Sequence, residues 1–127
     1  MIFWRRKRRL SLGDQGEQLA ERALKKAGYK ILERNAELGR YEIDIIAREG
    51  STVAFVEVKT RRTGDPIRPE ENVGRQKQRH IATAADIWIQ RHGDDKTNYR
   101  FDIVAIILPE GGPPQIDIFR DAFRARC

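Results

Sequence analysis

Asp44, Glu57 and Lys59 are the residues of this chain whose types and spacing could do chemistry. Glu57 and Lys59 stand two apart in STVAFVEVKTRR, residues 51–62, an apolar and β-branched run that ends in arginines. The side-chain period of a strand is two, which places Val53, Phe55, Glu57 and Lys59 on one face and Ala54, Val56 and Val58 on the other. Both faces begin apolar, as in a strand covered on both sides, so the charged pair lies at the margin of a core. Burying charge there is costly unless it is paired or holds an ion.

The preceding run, YEIDIIA over residues 41–47, places Glu42, Asp44 and Ile46 on one face and Ile43, Ile45 and Ala47 on the other. REGS is a glycine-containing turn that joins the two runs as an antiparallel hairpin. If the hairpin aligns the charged faces, Asp44 meets Glu57. Two carboxylates held together repel, and each tends to stay protonated unless a cation intervenes. Magnesium resolves that conflict with one or two protein carboxylates, several waters and phosphate oxygens. Lys59 would then offset charge on a phosphoryl transition state or orient the attacking water. The plainer reading is a solvated Glu–Lys pair at a strand end, common in a chain that is 35% charged and weakly stabilising, with Asp44 capping a turn. The combination favours a site: an acid in each of two adjacent apolar strands, with a lysine two residues beyond the second.

The elements that must position these residues are legible along the chain. DQGEQLAERALKKA, from Asp14 to Ala27, puts Leu19, Ala20, Ala23, Leu24 and Ala27 on one helical stripe, with Asp14 as N-cap and Gly28 as the stop. YKILERNA reads as a first strand with Tyr29, Ile31 and Glu33 on one side. RRTGDPIRPEEN, residues 61–72, has turn residues and charge without a period and reads as an exposed loop. From Val73 to Arg91, Ile81, Ala84, Ala85 and Trp88 recur at helical spacing, closed by Gly93. RFDIVAIIL is a buried strand, GGPP a turn, and QIDIFRD a short final strand at the sheet edge. The expected fold is α/β, a mixed sheet flanked by helices in the order α-β-β-β-α-β with a short C-terminal strand.

At 127 residues and 39% hydrophobic content the chain can bury a core of its own as a single domain over 13–127. Residues 1–12 read as a flexible basic arm. Of the net charge of +6, Arg5, Arg6, Lys7, Arg8 and Arg9 supply five, which leaves the body with about +1. The arm is a solvated tail or a grip on phosphate or an anionic membrane. No apolar run is long enough to span a bilayer and no secretory leader is encoded, so a cytoplasmic location is expected. Cys127, the single cysteine, excludes an intramolecular disulfide and argues against thiol catalysis.

An acid in one strand followed by E-V-K at the end of the next resembles the PD-(D/E)XK signature of restriction-endonuclease-like folds, here Asp44 and Glu57-Val58-Lys59. The likeness runs through GEQLAERALKKAGYKILERNA, EIDIIA, AFVEVKTRR and RFDIVAI, most of residues 13–108. It resembles the YraN family of bacterial endonuclease-like proteins, similar in core fold to archaeal Holliday-junction resolvases. The resemblance implies Asp44 and Glu57 as metal ligands with the Val58 carbonyl as a third, magnesium or manganese as the ion, and Lys59 as catalytic. Glu17 matches the helix glutamate of resolvase-like relatives and joins the catalytic set. Tyr41 departs from the pattern, standing where the family usually has Gly before Glu-Ile-Asp.

Arg61, Arg62, Arg75, Lys77 and Arg79 are candidates for phosphate binding beside the site, together with Arg5 to Arg9, although a charged loop and helix face explain them equally well. His80 and His92 lack metal-site spacing and read as structural, and Trp4 as packing. The function these readings support is a metal-dependent DNA endonuclease that hydrolyses phosphodiester bonds, on branched or otherwise structured DNA. The alternatives are a nucleic-acid-binding module with the nuclease scaffold and little cleavage, and a protein-interaction domain. DNA is the expected partner, and a homodimer is expected by resemblance to resolvases.

Overall fold

The computed structural model of the chain describes residues 10–64 and 73–124. Trp4, Arg5 to Arg9, Cys127 and residues 65–72 of the expected loop lie outside them. Two helices and five strands follow the order α1 (Leu12–Lys26), β1 (Lys30–Leu38), β2 (Tyr41–Glu49), β3 (Thr52–Arg62), α2 (Arg75–His92), β4 (Asn98–Leu108) and β5 (Gln115–Phe123). They build one mixed sheet in the spatial order β1-β2-β3-β4-β5. β1, β2 and β3 form an antiparallel meander, α2 carries the chain over to β4 parallel to β3, and β5 returns antiparallel at the edge. The α/β sheet flanked by helices is therefore as the sequence predicts.

Each face of the sheet has its own core, because β3 alternates between them. Ala54 and Val56 pack with Ala20 and Leu24 of α1, whereas Val53 and Phe55 pack with Ala84 and Trp88 of α2. The expected α2 stripe of Ile81, Ala84, Ala85 and Trp88 is buried throughout. Among the described residues no helix is long and apolar enough to cross a membrane.

Several local expectations are corrected. Ser11, not Asp14, caps α1: its hydroxyl accepts the Asp14 N–H at 3.0 Å, so the helix starts at Leu12. The buried stripe of α1 is Gly16, Ala20 and Leu24, and Ala27 is exposed. In β1 a register shift between Ile31 and Glu33 moves Glu33 off the face of Ile31. Its carboxylate accepts the indole N–H of Trp88 on the α2 side. In β2 the strict alternation fails at Asp44: Ile43 packs with Ile46 in the α2-side core, while Ile45 and Ala47 pack on the α1 side. Across from that switch, Asn35 adopts φ +47 between the pairs Arg34–Ile45 and Ala36–Ile43. Asparagine tolerates this left-handed backbone better than most residues.

Candidate functional site

Asp44 and Glu57 occupy a fork between two strands. The β2–β3 ladder ends at the pair Ile45–Val56, so Asp44 and Glu57 are the next positions along each strand. Asp44 bridges the fork with its side chain, Oδ2 accepting the Val58 N–H at 2.8 Å. Glu57 continues the Val53–Phe55 face toward α2 and is 5% exposed. Burial pushes its carboxyl up to about 7, and the neighbouring Asp44 carboxylate adds to the shift. Lys77 and Lys59 pull the other way: Lys77 Nζ stands 3.4 Å and Lys59 Nζ 3.9 Å from Glu57 Oε1. Asp44, Glu57 and Lys59 thus converge at the exit of the sheet core.

Glu17 reaches the same end of the sheet from α1, and Gly16 lets it do so. A Cβ on Gly16 would stand 1.8 Å from Thr60 Oγ1, so only glycine allows the first turns of α1 to lie this close to the end of β3. Burial raises the Glu17 carboxyl above its ordinary range, and Asp44 adds to the rise. The hydrogen-bonded Asn35 amide opposes it. Glu17, Asn35 and Asp44 line a cleft of about 210 Å³ that also touches Asp14, Glu21 and Arg34.

Asp44 stands electrostatically between Glu17 and Glu57, since it raises the pKa of both. Among the described residues no three His, Cys, Asp or Glu side chains converge as a metal cage. The donor set at the fork is instead two carboxylates, all hard oxygen, one of them buried and unfavourable as a bare anion. That fits an octahedral ion which keeps most of its waters, as magnesium or manganese does, and does not fit zinc held by nitrogen and sulfur. Glu17 lies on the α1 side, in the cleft that Asp44 also lines.

The basic candidates divide by place. Arg61 is half-buried and Arg62 exposed at the end of β3. Arg75 and Arg79, with Gln78, line a cleft of about 300 Å³ at the start of α2, and Arg124, beyond β5, completes it. Lys77 points elsewhere, at Glu57. Arg124 carries no sequence signal, because it comes to α2 only through the fold. His80 stacks on Tyr41 with ring centroids 4.3 Å apart, and His92 on Trp88 at 4.7 Å, so both have structural partners. Tyr41 is thereby turned onto α2.

A second polar cluster lies on the α1 face, toward the β2–β3 turn. Asp102 is fully buried in β4 and accepts from the Tyr29 hydroxyl at 2.8 Å, from Arg100 and from the Asp121 N–H at 2.9 Å. Arg100 and Arg120 both reach Glu49. Every Asp102 bond goes to a group of the fold itself, so the cluster fastens β5 and the start of β1 to β4. Read as RFDIVAIIL, the strand showed only its apolar content.

A model of the Uncharacterised protein family UPF0102 matches residues 16–106, which include every fork residue. Among curated proteins, the chain is 43% identical over 115 residues to a UPF0102 protein of Anaeromyxobacter sp. (strain Fw109-5), covering 91% of this chain and 86% of that one. It is 46% identical over 114 residues to one of Rhodococcus jostii (strain RHA1), covering 90% and 97%. It is 45% identical over 124 residues to one of Syntrophus aciditrophicus (strain SB), covering 97% and 95%.

Proposed function

The chain belongs to the UPF0102 family, and we propose that it is a magnesium- or manganese-dependent DNA endonuclease, hydrolysing phosphodiester bonds in branched or otherwise structured DNA. The observation that carries the reading is Glu57: a 5% exposed carboxylate beside Asp44, at the fork where β2 and β3 part, with two ammonium groups within 4 Å of one oxygen. Asp102 is buried too, but accepts from a tyrosine hydroxyl, an arginine and a backbone N–H of the fold, whereas the ammonium groups beside Glu57 stand on flexible stems. The restriction-endonuclease-like resemblance of Asp44 and Glu57-Val58-Lys59 supports the same reading.

In this reading Asp44 and Glu57 hold the ion, with the Val58 carbonyl as the further oxygen. The bound ion supplies charge stabilisation at the scissile phosphate and lowers the pKa of the attacking water. Lys59 shares the Glu57 face and is 23% exposed at its side chain, open enough to meet a phosphate. Beside the Glu57 carboxylate and partly open to solvent, it is assigned the role of stabilising negative charge or placing water. Glu17 positions the second side of the cleft. Arg61, Arg62, Arg75, Arg79 and the arm Arg5 to Arg9 offer contacts to the backbone phosphates, which set affinity without reading sequence. A homodimer would bring two such sites to two strands.

The test is incubation of the protein with duplex, single-stranded and four-way-junction DNA, with and without magnesium or manganese. Cleavage that needs the metal and is lost in Lys59→Ala, while Lys59→Ala still binds manganese, supports the reading. Salt-sensitive DNA binding without cleavage on any substrate would make the chain a binding module instead.

A further inference from the structure

Lys77 enters the fork from the first turn of α2, although no motif in β2 or β3 announces it. Its Nζ is nearer to Glu57 Oε1, at 3.4 Å, than that of Lys59 at 3.9 Å, which shares a strand with the glutamate. The two partners are unequal in freedom. The Glu57 side chain is 6% exposed and fixed in the sheet, whereas the Lys77 side chain is 46% exposed. The lysine can swing its charge into water on a flexible stem; the carboxylate cannot leave. A buried carboxylate beside a second acid needs a nearby positive charge. A divalent ion on the same carboxylate would supply that charge and repel the ammonium.

We propose that Lys77 is a placeholder cation: it neutralises Glu57 while the fork holds no divalent ion, leaves Oε1 when the ion binds, and so sets the metal concentration at which the site fills. The inference rests on the reading of Asp44 and Glu57 as metal-holding residues. Lys77 and the ion compete for one oxygen, so the ion must displace a favourable contact before gaining its own. The free energy that Lys77 contributes to the metal-free protein is therefore the free energy by which it weakens metal binding. Linkage makes the two equal in size and opposite in effect.

The experiment compares wild type, Lys77→Met and Lys77→Arg by calorimetric titration with manganese chloride and by urea unfolding, with and without saturating manganese, at pH 8. Met keeps the apolar stem and removes the charge, and Arg keeps the charge. Lys77→Met is expected to bind manganese about three- to tenfold more tightly than wild type. It should be less stable than wild type without metal by a matching amount, and the gap should close when manganese saturates. Lys77→Arg should stay near wild type. Unchanged or weaker manganese binding by Lys77→Met overturns the proposal, as does the absence of manganese binding in all three proteins. The nuclease reading is judged separately, by metal-dependent cleavage in the wild type. Cleavage with no affinity gain in Lys77→Met removes only the exchange, and an affinity gain without cleavage of any DNA removes only the nuclease.

Discussion

Asp44 Oδ2 accepts the backbone N–H of Val58 at 2.8 Å, just past the last backbone pair between β2 and β3. One carboxylate thus closes the fork and contributes charge to it, and two substitutions separate these roles. Asp44→Asn keeps an acceptor for Val58 and removes the charge. It should change stability by less than about 1 kcal/mol while metal binding and cleavage disappear together. Asp44→Ala leaves the Val58 N–H without this partner and should cost about 1–3 kcal/mol as well. Urea unfolding and manganese calorimetry on both variants measure the split. Full metal affinity in Asp44→Asn would remove Asp44 from the ligand set.

Glu57 gives the site a pH dependence of defined sign. Its carboxyl is raised from the ordinary 4.5 to about 7, by burial first and by Asp44 second. Between those values the folded protein holds a proton that the unfolded chain has lost, so the Glu57 contribution to stability is full below about 4.5 and is lost as pH rises through about 7. Glu57→Gln imitates the protonated form at every pH. Without metal it should match wild type near pH 4.5 and exceed it at pH 8 by on the order of 2 kcal/mol. Saturating magnesium should stabilise only the wild type. Unfolding curves at the two pH values decide the matter, and a difference that does not vary with pH would refute the assignment.

Gly16 sets the approach of α1. A Cβ there would meet Thr60 Oγ1 at 1.8 Å and Thr60 Cβ at 2.9 Å, both within the strand that carries Glu57 and Lys59. Gly16→Ala should destabilise by about 1–3 kcal/mol, because overpacking displaces the helix and outweighs the propensity gained. Pairing it with Thr60→Gly should recover part of the loss. A double-mutant cycle measures the coupling, and strictly additive effects would show that the helix does not rest on Thr60.

Tyr29 and Asp102 provide a control away from the fork. Tyr29→Phe removes a hydroxyl that donates to Asp102 at 2.8 Å and accepts from Arg100 at 3.1 Å. The expected cost is about 1–3 kcal/mol of stability, with manganese affinity unchanged. A fall in affinity at equal foldedness would tie the cluster to the site.

The sequence by itself determined the order of elements and the two-faced burial of β3. Both follow from local periods: alternation near two marks the strands, spacing near 3.6 marks α2, and a glycine turn fixes the hairpin. The tertiary structure decided what those periods cannot encode. Strict alternation put Ile43 with Ile45, yet the chain changes face at Asp44, opposite the left-handed Asn35. The strand period places Glu33 with Ile31, but the register shift carries it to Trp88. Lys77 and Arg79 are two residues apart on α2, and their sequence neighbourhood treats them alike. Only the packing of α2 against the sheet aims Lys77 at Glu57 and leaves Arg79 in a cleft with Arg124. Gly16 looks like a weak point in a helix until Thr60, far along the chain, fills the space its side chain would need. Neighbours in the chain share a period, whereas neighbours in space depend on how whole elements cross, and the charges of this site come from four of them.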